Sequence, residues 1–182
     1  MLPLVFLPGT PTLLAGRGPA FAKRRALLED AGLTALTIVE GAPDGSLLDG
    51  QRLVFGAGLS EAEGEALAAA ARARGIPVNI EDVLPLCDVH VPALVRRGDL
   101  LLTVSTAGQA PGVSAALRSW LAEAFGPEWA GHLAEAAALR TRLRAEACPP
   151  GEVMRAVQAH LRDRGLLEPA RCRPAREPIF DG

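Results

Sequence analysis

Apolar positions along the chain change period several times, and each change marks a predicted element. Thr12–Ala15 is a short apolar run, followed by Gly16-Arg17-Gly18-Pro19-Ala20-Phe21. From Ala22 to Ala31 the spacing is helical, and Gly32 supplies the stop. Pro19 suits a first helical turn, where its missing N–H has no partner to lose. Leu33–Val39 and Arg52–Gly56 read as strands. Ser60 and Glu63 form a capping box ahead of the alanine-rich helix Ala66–Arg74, which Gly75 ends. Three β-type runs come next: Ile76–Ile80, an alternating Val89–Val95, and a continuously apolar Leu100–Ser105 that predicts a buried strand.

After these runs the period becomes helical and stays so. Pro111–Phe125 places Val113, Leu117, Leu121 and Phe125 on one face. Gly126-Pro127 breaks the pattern, Trp129–Ala147 resumes it, Cys148-Pro149-Pro150-Gly151 breaks it again, and Glu152–Arg164 is the last helix. The order predicts an α/β fold: a truncated Rossmann-like parallel sheet over residues 1–106, then a helical region over 107–168. Three amphipathic helices exceed what the sheet can use as cover, so this annex is expected to dimerise and to cover substrate. Residues 169–182, with three prolines among arginines, are expected to be a disordered tail.

Composition narrows the function. With 182 residues, 49% hydrophobic and 22% charged, the chain has material for one core and a small annex. A net charge of −2 gives no basic excess for nucleic acid, and the absence of Tyr argues against base-stacking platforms. The apolar N-terminus lacks a basic region and is interrupted by Pro3, Pro8 and Pro11, so it is not expected to be a signal peptide. No uncharged apolar run reaches the ~18 residues of a membrane span. The three cysteines, Cys87, Cys148 and Cys172, make no CxxC, which favours a reducing cytoplasm.

Two stretches carry candidate chemistry. The first is the strand–glycine–helix start, where Gly16, Gly18, Pro19 and Ala20 would hold the diphosphate of a dinucleotide. Phe21 stands where the G-x-G-x-x-G/A pattern has a small residue, and a tight β–α turn is the alternative. Glu40 ends the next strand and could hold a ribose 2′-hydroxyl, against the reading of a surface acid. The second stretch runs from Arg74 to Pro111. Asp82 follows a strand end, where open α/β sheets keep their ligands, and Ser105-Thr106-Ala107-Gly108 precedes a helix start that can hold an anion. Glu81 reads as solvated or on the opposite face. His90 has no second ligand at metal spacing, so no metal site is predicted.

The residues Arg74-Gly75-Ile76-Pro77-Val78-Asn79, Asp82, Cys87-Asp88, Pro92-Ala93, Arg97-Gly98, Leu100, Val104-Ser105-Thr106, Gly108 and Pro111 stand together in order. In them the chain resembles the precorrin-2 dehydrogenase/sirohydrochlorin ferrochelatase family, the N-terminal module of sirohaem synthase. The resemblance extends more weakly from Leu4 to Arg144. It implies oxidation of precorrin-2 to sirohydrochlorin with NAD, and insertion of Fe²⁺ as a second substrate, in a homodimer. It further implies Asp82 as the acid/base for both steps. An octacarboxylate tetrapyrrole would be bound by Asn79, Ser105, Thr106, Gly108 and Arg97, with Arg96 and Arg118 as further cations.

Several positions depart from the family's pattern. Thr37-Ile38-Val39-Glu40-Gly41 resembles the family's third strand, so one strand and one helix are missing after Gly32. Gly58-Leu59-Ser60 stands where the family has a small residue and paired aspartates, Gly64 where it has an asparagine, and Ala107 and Ala110 where it has a glycine and a serine. These losses favour an alternative: a tetrapyrrole-binding chelatase or carrier that no longer binds NAD.

Overall fold

The computed structural model describes residues 4–167. Two compact units divide the chain after Val91. In the first unit the elements are β1 (Thr12–Gly16), α1 (Gly18–Asp30), β2 (Leu36–Glu40), β3 (Leu53–Ala57), α2 (Glu61–Arg72) and β4 (Val78–Ile80). The four strands form one parallel sheet in the order β2-β1-β3-β4. Gly16 pairs with Glu40 across β1 and β2, and Leu14 pairs with Phe55 across β1 and β3.

Every residue of β1 and β3 is buried, which is why these segments are apolar apart from Thr12, whose hydroxyl donates to the Thr10 carbonyl. The strand period of two divides their side chains between the faces. Leu13, Ala15 and Val54 face α2, joining Leu67, Ala68, Ala71, Val78 and Ile80. Leu14, Leu53 and Phe55 face α1, joining Leu28. Burying a leucine such as Leu13 or Leu14 fully stabilises the fold by roughly 2 kcal/mol. The predicted capping box is present: Ser60 and Glu63 each bond the other's backbone N–H.

Only a 3₁₀ turn, Gly45–Leu48, lies on the path from β2 to β3. β2 pairs directly with β1 and forms the edge of the sheet. Ile38 on that edge is 36% exposed.

The second unit begins at Pro92 and contains β5 (Ala93–Arg97), β6 (Leu100–Val104), α3 (Pro111–Ala124), α4 (Trp129–Ala145) and α5 (Pro150–Asp163). The strands form a separate antiparallel hairpin, with Ala93 opposite Val104. The sequence placed residues up to 106 in the first domain, whereas the hairpin clusters with the helices. β6 is half-buried rather than enclosed, because only one hairpin strand lies beside it. The alternating run from Val89 is cut by Pro92, which cannot donate to a strand ladder. Val89 and Val91 pack on the α1-side core instead, leaving His90 exposed between them.

No residue of α3 is buried, and Val113 and Leu117 of the predicted apolar face are 51% and 44% exposed. Phe125 and Trp129 stack with ring centroids 4.9 Å apart at the joint between α3 and α4. Among the described residues no helix is long and apolar enough to cross a membrane. The expected tail, 169–182, and Cys172 lie outside the described residues.

Candidate functional site

In the first unit, the carboxyl end of the parallel sheet gathers the glycine loop, Glu40 and Asp82. Gly16 sits between two strand ends. Its carbonyl accepts a bond from the Gly41 N–H at 2.7 Å, while the Arg17 N–H donates to the Ala57 carbonyl at 3.1 Å. A methyl at Gly16 would overlap that Ala57 carbonyl, and one at Gly58 would overlap the carbonyl of Arg17. Gly18 differs: at φ +71° a Cβ there would meet open space.

α1 begins at Gly18 with Pro19 in its first turn, no side-chain cap and no acidic residue. Its N-terminal N–H groups and positive dipole end thus remain available to an anion. A dinucleotide diphosphate fits this loop by charge and by the open face of Gly18. Phe21 does not obstruct it, because the ring packs into the α1-side core with Leu27 and Leu33.

Asp82 lies two residues past β4, exposed, with φ +63°. Asp is among the few residues that adopt this left-handed conformation readily. Its neighbour Glu81 is not solvated as the sequence suggested. The Glu81 side chain is 16% exposed and pairs with Arg24 of α1, itself 11% exposed, at 3.4 Å. The Arg24 guanidinium also lies over the Phe55 ring, 5.4 Å from its centroid.

Arg24 Nη1 and Glu81 Oε2 are buried without protein partners, so each charge depends on the other. Glu81→Ala is expected to destabilise the fold by about 2–4 kcal/mol, because it leaves Arg24 buried and unpaired. Glu81→Gln should lose less. Urea unfolding measures both, and a loss below about 0.5 kcal/mol for the alanine variant would show the pair to be energetically idle.

Asn79 is buried, 6% exposed. Its amide nitrogen donates to the Val89 carbonyl at 2.9 Å and to Cys87 Sγ at 3.4 Å, fastening residues 87–89 to β4. Asn79 Oδ1 has no partner. The Cys87 thiol donates to the Ile80 carbonyl at 3.1 Å, and burial pushes its pKa up. Asp88 accepts from Arg72 Nε at 3.0 Å and from the Val78 N–H at 3.3 Å, tying α2 to β4. Gly64, where the family has an asparagine, is buried against β4; a Cβ there would stand 3.2 Å from Ile80 Cγ2.

The second unit holds the other candidates. Thr106 Oγ1 accepts from the Ala110 N–H at 3.2 Å and shares a hydrogen bond with Ser114 Oγ at 3.1 Å. Ser105 Oγ accepts from the Ala107 N–H at 3.3 Å. Ala107 and Gly108 have φ +53° and +79°, so the loop takes two left-handed residues in succession. The glycine that the family carries at position 107 has a steric reason there; alanine adds about 1 kcal/mol of strain.

Arg97, expected to reach a substrate carboxylate, has its guanidinium occupied. It donates to the carbonyls of Phe125 at 2.7 Å, Ala122 at 3.0 Å and Arg96 at 2.9 Å, satisfying the C-terminus of α3. No group of three or more His, Cys, Asp or Glu able to hold a metal occurs among the described residues.

A family model described as "Putative NAD(P)-binding" matches residues 7–93. Siroheme synthase of Methylococcus capsulatus is 33% identical over 181 residues, covering 88% of this chain and 37% of that protein. Siroheme synthase of Pseudomonas entomophila is 36% identical over 144 residues, covering 66% of this chain and 31% of that protein. Over 88% and 66% of its length, respectively, the chain is thus similar to these two siroheme synthases. It spans about a third of the length of these curated relatives. A solved structure, "SirC, precorrin-2 dehydrogenase", has the same fold: TM-score 0.68 at 17% identity, covering 94% of this chain and 95% of that one.

The strand–glycine–helix pattern marks the glycine loop and the strand end marks Asp82, while the resemblance adds the acid/base role. It gave no hint of the Arg17–Glu63 and Arg24–Glu81 pairs. Both join residues dozens of positions apart, 46 and 57, and only the Ser60–Glu63 box signalled that Glu63 had a local partner.

Proposed function

We propose that the chain oxidises precorrin-2 to sirohydrochlorin with NAD, and that the same acid/base serves the insertion of Fe²⁺ as a substrate. The observation that carries this reading is Asp82: an exposed carboxylate past the end of β4, in a sheet whose glycine loop suits a diphosphate. Siroheme synthase relatives and the precorrin-2 dehydrogenase fold support it.

A bound nicotinamide supplies the hydride acceptor; the protein supplies position and proton transfer. Gly18 and the first turn of α1 hold the diphosphate. Asp82 takes up the proton that the substrate loses along with its hydride, and later the pyrrole protons as the metal enters. Ser105, Gly108 and the start of α3 offer neutral donors to substrate carboxylates, with Arg96 and Arg118 as cations, while Thr106 and Arg97 shape the loop and the helix end. Asn79 holds the 87–89 segment that follows Asp82. The exposed Val113 and Leu117 on α3 suit a homodimer contact, and a cytoplasmic setting is part of the same reading.

Glu40 supports NAD over NADP. It ends β2 directly opposite Gly16, the register in which Rossmann-like folds place the acid that binds the ribose 2′-hydroxyl. A 2′-phosphate beside it would be repelled.

Calorimetric titration of NAD⁺, with and without a tetrapyrrole, tests the proposal. Micromolar to sub-millimolar binding is expected, with NADP⁺ at least about tenfold weaker and the preference narrowed in Glu40→Gln. The second reading, a chelatase or carrier without NAD, is favoured by the short parallel sheet, four strands with β2 at its edge. Tetrapyrrole binding with no NAD⁺ binding would establish it.

A further inference from the structure

Arg17 is the middle residue of the glycine loop, yet its side chain leaves the loop altogether. Nη2 lies 2.7 Å from Glu63 Oε1 and Nη1 lies 3.2 Å from Glu63 Oε2, a two-pronged contact with the first turn of α2. The same Nη2 is 3.4 Å from where a Cβ on Gly41 would stand. One guanidinium therefore spans from the end of β2 to the start of α2, across the carboxyl end of β1. This is the point where strand order reverses, with β2 on one side of β1 and β3 on the other, and where open α/β sheets bind dinucleotides.

We propose that Arg17 and Glu63 form a latch across the dinucleotide crevice, opened when a diphosphate replaces Glu63 as the partner of Arg17. The inference rests on the dinucleotide reading above and adds a gating step to it. Three features suit an exchange rather than a fixed brace. The Arg17 side chain is 49% exposed, so it can swing without repacking a core. Gly41 leaves room beneath it. Glu63 keeps other partners when Arg17 departs, since it accepts from the Ser60 N–H at 2.9 Å and the Ser60 hydroxyl at 2.8 Å. A diphosphate at the start of α1 gains a two-pronged guanidinium contact in return.

The bond to Arg17, followed by those to Ser60, holds the Glu63 carboxyl at about 2, so the latch stays charged throughout the neutral range. Arg17 in turn is raised above its usual value by Glu63.

Titration of NAD⁺ and ADP-ribose into the full chain tests this with Glu63→Gln, Arg17→Gln and the double variant. Glutamine preserves the capping box, so α2 stays intact. Glu63→Gln is expected to bind about two- to fivefold tighter, the effect of releasing an exposed ion pair. Arg17→Gln should bind about tenfold weaker, and the double variant should match Arg17→Gln, because with Arg17 gone there is nothing for Glu63 to hold. Wild-type binding with unchanged affinity in Glu63→Gln, or additive effects in the double variant, would overturn the latch and leave the dinucleotide reading standing. Absence of binding in both wild type and Glu63→Gln would overturn both.

Discussion

Asp82→Asn is expected to lower the turnover of precorrin-2 oxidation by at least ~100-fold, with little change in KM, and to impair Fe²⁺ insertion to a similar degree. General acid–base groups contribute about 10²–10⁴ in rate, and asparagine cannot take up the proton. Asparagine is the informative replacement because position 82 has φ +63°. Asn and Asp both tolerate this conformation, whereas alanine would add backbone strain to the chemical loss. The side chain is exposed, so the melting temperature should stay within about 2 °C of wild type. Steady-state oxidation at saturating NAD⁺, metal insertion followed by absorbance, and a melting curve decide the matter. Full activity in both reactions would remove Asp82 from the mechanism.

Glu81 supplies the contrast. It is adjacent in sequence, but its carboxylate pairs with Arg24 and its removal should act on stability. The expectation of a solvated Glu81 does not hold, since its side chain is 16% exposed. The reason is that Arg24 reaches from α1 into the edge of the core beside Phe55, a contact that no local pattern encodes.

Where burial was continuous, the sequence reading and the structure agree closely: β4 lies within its predicted run, and β1 and β3 each end one residue past theirs, because buried parallel strands are largely apolar. The helices α2 to α5 were legible from caps, prolines and glycine breaks. Agreement failed where pairing partners were at issue. Leu100–Val104 has the composition of a buried parallel strand, but its partner is β5 and its sheet has two strands. Likewise, no local pattern in Leu36–Glu40 tells that its partner is β1. Among site residues, the resemblance located Asn79, Thr106 and Arg97, while only the structure shows that each is already hydrogen-bonded.

The largest stability effect is expected at Gly16, and its comparison with Gly18 separates architecture from binding. Gly16 is buried with φ +152°, and a methyl there would run into the carbonyl of Ala57. To make room, that carbonyl would have to move, breaking its bond to the Arg17 N–H and separating the loops after β1 and β3. Gly16→Ala should therefore cost about 3 kcal/mol or more, a drop near 10 °C in melting temperature for a chain of this size. Gly18→Ala meets no atom within 4 Å and carries only the strain of φ +71°, about 1–2 kcal/mol. Its methyl, however, would stand in the open space over the start of α1, where the diphosphate must approach. Gly18→Ala should consequently lose NAD⁺ affinity by about tenfold or more in a protein that still melts cooperatively. Thermal melts and calorimetry on both variants read the two effects separately. A Gly16→Ala protein as stable as wild type would show that the β1 and β3 loops can part freely. A Gly18→Ala protein with unchanged NAD⁺ affinity would place the diphosphate somewhere other than this loop.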